Sequence, residues 1–124
     1  MQYLLLVYID PELLDALPPE HFDAEMRHCL QHADELQRQG SLLAFQQLEP
    51  ANAAKSVRSR AGRTTIVDGP FAETKEMLAG FNLIEAGSID EALKIAQEFP
   101  WTRYGCIEVR PLSDIAAVRA RVGA

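Results

Sequence analysis

The run Tyr3-Leu4-Leu5-Leu6-Val7-Tyr8-Ile9 constrains this chain more than any other segment. A strand alternates its side chains between two faces, so a strand apolar at every position must be covered on both. Residues 2–9 therefore read as a strand inside a covered sheet, and Asp10-Pro11-Glu12 breaks it. The run is far shorter than the ~20 apolar residues a membrane helix needs. At 124 residues the chain fits one domain with a real core, and its 48% apolar and 24% charged residues are ordinary for such a domain.

The next elements follow from period and punctuation. Pro18-Pro19-Glu20 opens a helix, because the first turn does not use the N–H that proline lacks. Phe22, Met26, Cys29, Leu30, Ala33 and Leu36 follow at helical spacing, and Gly40 ends the helix. Leu42-Leu43-Ala44-Phe45 reads as a second strand, closed off by Pro50. Residues 56–67 read as a hairpin turning at Ala61-Gly62. Another strand runs to about Ile84. Ser88-Ile89-Asp90-Glu91 is a capping box that starts a second helix, with Ile89, Ala92, Leu93 and Ala96 as its apolar face and Pro100 as its stop. Tyr104 to Val109 is a final strand, and residues 113–124 form a C-terminal tail with a short helix.

This order is a split βαβ arrangement, an α+β ferredoxin-like sandwich with two helices on one face of one sheet. The other face also carries apolar residues, so a second copy of the chain is expected to cover it. A homodimer is the first functional expectation.

Acidic residues outnumber basic ones, 18 to 12, for a net charge of −6. That balance argues against nucleic-acid binding, which draws on clustered Lys and Arg. Lys55, Arg58, Arg60 and Arg63 gather in the hairpin and read as its solvated side chains. The opening residues lack a basic leader and a small-residue cleavage site, so a cytoplasmic location is expected. Two cysteines are too few for a disulfide framework. Cys29, on a helix, and Cys106, in a strand, read as buried reduced thiols.

Asp68-Gly69-Pro70-Phe71-Ala72-Glu73-Thr74-Lys75-Glu76 is the densest run of distinctive residues. A hairpin needs about two to five connecting residues, so this loop asks for another role. Asp and Gly favour a turn, and Pro70 fixes φ, which holds Phe71 rigidly. Glu73 and Lys75 add charge of both signs. The ligand or interface candidates are Asp68, Gly69, Pro70, Phe71, Glu73 and Lys75. Three histidines, His21, His28 and His32, share one side of the first helix, about 120° or more from the centre of its apolar stripe, towards solvent. His28, His32 and Asp68 are the candidate proton carriers. No metal-ligand pattern, phosphate loop or dinucleotide fingerprint occurs, so no metal or cofactor is expected.

The run Asp68 to Glu76, with Gly80-Phe81 behind it, resembles the signature of the DGPF family within the YCII-related superfamily. The opening Tyr3 to Tyr8 resembles the family start, and Asp90-Glu91-Ala92-Leu93, Pro100 and Tyr104 to Pro111 resemble its end. The likeness covers residues 1–112. It implies a ferredoxin-like fold that pairs through its sheets into a dimeric α/β-barrel. Members are mostly bacterial and of unknown function, and some sit beside or are fused to sigma factors, which implies a regulatory association. Related enzymes use a His on the first helix and an Asp after the second strand. Here that place reads Gln46-Gln47-Leu48-Glu49, with Glu49 as its one carboxylate.

The leading expectation is a small homodimer that binds a small molecule or a protein partner at a cleft near the motif loop. The second is a lyase- or isomerase-type enzyme on a small, aromatic substrate. The third is a structural dimer module serving a sigma-factor regulator.

Overall fold

The computed structural model describes residues 1–70, 72 and 74–124. Strand β1 (Gln2–Ile9) lies inside a four-stranded antiparallel sheet of order β2-β5-β1-β6. Its companions are β2 (Leu42–Gln47), β5 (Met77–Glu85) and β6 (Gly105–Pro111). Between them run α2 (Pro19–Arg38) and α3 (Ile89–Gln97), which makes the connection the expected split βαβ of a ferredoxin-like α+β fold.

The two faces of β1 are unequal. Tyr3, Leu5, Val7 and Ile9 are buried against Cys29, Ala33 and Leu36 of α2 and Ala92 and Ala96 of α3. Leu5, Ile84 and Phe99 are almost wholly inaccessible, and each contributes about 1.5–3 kcal/mol by leaving water. Leu4, Leu6 and Tyr8 point the other way and stay half-buried on an open face. Register places Leu83, Phe81 and Leu78 beside them on β5, with Leu78 43% exposed. Gly105 is required where β6 meets β1, because a Cβ there would lie 1.9 Å from the Tyr8 carbonyl oxygen.

Two irregularities tune the sheet. The pairing of Val7 with Gly80 and Tyr8 with Leu78 leaves Ala79 as an extra residue, and β2 slips at Leu43. Such bulges twist a strand locally and re-aim its side chains.

Several expectations change. Asp10 does more than break β1: it caps a short helix α1 (Pro11–Asp15), its Oδ1 accepting the Glu12 N–H at 3.0 Å. The hairpin, β3 (Lys55–Arg60) and β4 (Arg63–Asp68), forms a separate two-stranded sheet. The motif loop therefore joins two sheets, which accounts for its length. Cys106 is exposed, contrary to the expected burial, because its side of β6 is the open face beside Tyr8.

The capping box forms in a shifted version. Ser88 Oγ accepts the Glu91 N–H at 3.2 Å, while Glu91 reaches one residue further back, to the Gly87 N–H at 2.8 Å. The tail helix α4 (Ile115–Val122) is capped by Asp114 and exposed along its length.

Candidate functional site

Between α2 and the sheet lies a cavity of about 330 Å³. Phe22, Met26 and Leu30 come from α2, Val7 and Ile9 from β1, Phe45 from β2, and Ala79 and Gly80 from β5. Leu14 of α1 and Trp101, from a 3-10 turn after α3, complete the wall. None of the described lining residues carries a charge. Ligand pockets span about 300–1,000 Å³ and are built this way, apolar with a few polar groups.

The polar groups are few and specific. Asn82 sits on the helix-covered side of β5, opposite Leu5 and Phe45, and is only 6% exposed. Its amide makes no hydrogen bond to any other described residue, and its polar atoms are open to the cavity. An amide has two donors and a two-lone-pair acceptor, and these stay available to a molecule in the cavity. Gln46 and Gln47 stand at the exposed edge, where Gln47 Nε2 donates to Met26 Sδ at 3.1 Å and ties β2 to α2. Inside, Trp101 Nε1–H donates to Cys29 Sγ at 3.2 Å. Burial pushes the Cys29 thiol up, and the Trp101 bond offsets part of that. Cys29 is therefore a neutral wall atom at physiological pH.

A second polar cluster borders the Trp101 corner. Glu25 on α2 accepts from Tyr104 Oη at 2.6 Å and Arg103 at 2.5 Å. The Tyr104 bond, with Arg103 and nearby His28 adding to it, holds the Glu25 carboxyl below its usual range. The same bond raises the Tyr104 phenol. This cluster clamps the turn that carries Trp101 onto α2.

The described sequence candidates are not among the residues lining this cavity. His21 and His28 are exposed on α2. His32 is not: its side chain is only 10% exposed, contrary to the solvent-facing expectation. Its ring meets Phe99 edge-on at 4.4 Å, its Nε2 lies 3.3 Å from the Ile95 carbonyl, and its Nδ1 lies 3.6 Å from Glu98. The helical count considered only the stripe facing the sheet, whereas α3 packs along the flank of α2 and covers His32.

Asp68 ends β4 with its side chain 85% exposed and paired to Lys55 Nζ at 2.5 Å. Gly69 takes a φ of 97°, donates its N–H to Ala54 at 2.7 Å and accepts from Ser56 Oγ at 2.8 Å, which closes the hairpin root. Pro70 is half-buried. Phe71 and Glu73 lie outside the described residues. Lys75 approaches the buried Asp10 at 3.7 Å and borders a second, open hollow with Tyr8, Glu76 and Cys106. Burial first, then the nearby carboxylate of Glu76, raises the Cys106 thiol.

Sequence reasoning missed Asn82, Trp101 and Phe22 as partners in one cavity. One signal was present: Asn82 is the lone strongly polar residue between Met77 and Ile84. Among the described residues no helix is long and apolar enough to cross a membrane, and no group of three metal-ligating side chains gathers.

Comparison with known proteins agrees with the fold. The YCII-related domain matches residues 1–116. An uncharacterized protein of Rhizobium meliloti (strain 1021) is 40% identical over 117 residues, which span 91% of this chain and 93% of that protein. A solved structure, 5-chloro-2-hydroxyhydroquinone dehydrochlorinase from Burkholderia phenoliruptrix AC1100 in complex with 2,5-dihydroxybenzoquinone, superposes with a TM-score of 0.51 at 17% identity. That match covers 91% of this chain and 94% of the other, and at this identity it speaks to the fold alone. With the model match and the relative together, the chain belongs to the YCII-related family.

Proposed function

We propose that this protein binds a small, uncharged, ring-containing molecule in the cavity between α2 and the sheet, and that it works as a homodimer. The single observation carrying the ligand reading is Asn82, a residue only 6% exposed whose amide has no partner among the described residues and opens to a largely apolar, uncharged space. A ligand oxygen or N–H would complete its hydrogen bonding, while a charged group would lose hydration with no counter-charge to meet it. The cavity is roughly twice the ~150 Å³ that accommodates benzene, so one or two rings fit. The open sheet face, with Leu4, Leu6, Phe81 and Leu83, supports the dimer reading.

Binding is favoured over catalysis because the one titratable group among the described lining residues is Cys29, which burial keeps protonated. The second reading, a lyase- or isomerase-type enzyme on an aromatic substrate, is supported by the dehydrochlorinase of like fold and its quinone ligand. Its proton carriers would have to come from outside the described lining, where His28 stands beside Glu25.

A thermal-unfolding panel tests the ligand class. 2-Naphthol should raise the midpoint by about 4 °C near saturation, and 2-naphthoate should not. Asn82→Leu should erase the advantage of 2-naphthol over naphthalene while leaving the protein folded. Equal stabilisation by 2-naphthoate, or an undiminished preference for naphthol in the variant, would sink the proposal.

A further inference from the structure

Strands β3 and β4 form a ribbon that packs on little but itself. Every residue of β4 is exposed, and every residue of β3 except Ser56. Two-stranded ribbons are marginal in water unless they rest on another surface. The register sorts the side chains into two unlike faces. One holds the pairs Lys55 with Asp68, Val57 with Ile66 and Ser59 with Thr64. The other holds Arg58, Arg60, Arg63 and Val67.

The first face has no net charge. Lys55 and Asp68 form an ion pair, and the Ser59 and Thr64 hydroxyls bond each other at 2.7 Å. At its centre Val57 is 69% exposed and Ile66 67%, a β-branched pair with nothing against it. The opposite face makes the ribbon cationic. Residues 55–68 carry four basic side chains and one acid, whereas the rest of the chain carries eight basic and seventeen acidic ones.

These charges select the occupant. Two ribbons from two copies, each with four basic side chains against one acid, would repel, which disfavours ribbon-to-ribbon pairing. A ribbon against the acidic body of a second copy is attracted to it. That body also offers an apolar surface of matching kind, the open sheet face around Leu6 and Phe81.

We propose that the β3–β4 hairpin is an arm that lays Val57 and Ile66 on the open sheet face of a second copy, with reciprocal exchange across a two-fold axis. The inference rests on the dimer reading above and adds to it the element that fastens the two copies. The net positive charge of the ribbon then steers the encounter with the acidic body.

Sedimentation velocity on the full chain tests both levels. Wild type should be dimeric at micromolar concentration. Val57→Ser with Ile66→Ser should raise the dimer Kd at least tenfold, with the circular dichroism spectrum unchanged because both sites are exposed. Arg60→Glu with Arg63→Glu should weaken the dimer too, by a factor that shrinks as salt rises. A dimeric wild type whose two double variants keep its Kd overturns the arm and leaves the dimer standing. A monomeric wild type removes the dimer reading, and the arm with it. Variants that dimerise normally but lose retention on a heparin column would instead assign the arm to a polyanion, and that result also refutes the proposal.

Discussion

Glu25 is the side chain whose charge the fold uses most directly. Tyr104 and Arg103 both donate to it, and the turn they hold carries Trp101 into the cavity wall. Its carboxyl titrates below the ordinary value of about 4.3. A depressed folded pKa means the charged form is favoured on folding. The resulting stability is present above the unfolded value and is lost as pH falls through the folded one. Glu25→Gln should therefore cost on the order of 1 kcal/mol at pH 7, because Arg103 is largely exposed and water screens its share. Urea titrations at pH 7 and pH 3 check this: the wild-type advantage should shrink at the lower pH. An equal difference at both would mean that the carboxylate charge is not what holds the turn. Asn82 is the converse case, a polar residue that no described neighbour uses.

At the scale of elements, α2 has two buried flanks. One carries Cys29, Ala33 and Leu36 onto the sheet, and the other carries His32 against α3. The edge-on contact with Phe99 and the polar contact with Ile95 together contribute about 2 kcal/mol. His32→Ala should lower the unfolding free energy by about that amount, with folding otherwise two-state. A loss below about 0.5 kcal/mol, the range of a surface substitution, would place His32 in solvent after all. The expected three-histidine solvent face therefore reduces to His21 and His28. The capping serine and the strand periods were readable because they act within a few residues. The flank of α2 was not, because apolar spacing reports the dominant stripe and is silent about a second neighbour.

Across the whole molecule, the sheet is the organising surface. Helices cover one side, and the other presents Leu4, Leu6, Tyr8, Leu78, Phe81 and Leu83. Cys106 stands on that open side, opposite Tyr8, and serves as a built-in reporter. Its thiol is raised, so labelling should be slow at neutral pH and faster as pH rises. If a second copy covers the face, labelling should also slow as protein concentration rises through the dimer Kd. A rate independent of concentration, in a range where sedimentation shows dimer, would move the interface elsewhere. Cys29 should react only on unfolding, since it is 8% exposed and bonded to Trp101.

The order of the strands and of the two long helices, the Ser88 cap, the hairpin turn and the burial of one face of β1 were legible in the chain itself, whereas α1 and its Asp10 cap were not. Each legible feature rests on interactions local in sequence or on a strict alternation. The DGPF run likewise pointed to the family, which the comparisons bear out. Tertiary structure alone decided that β4 leaves the main sheet, that His32 is enclosed, and that Asn82 meets Phe22, Phe45 and Trp101 around one cavity. These facts depend on which flank of one element faces another far away in the chain. Local propensity carries no information about that choice, because it is made by packing.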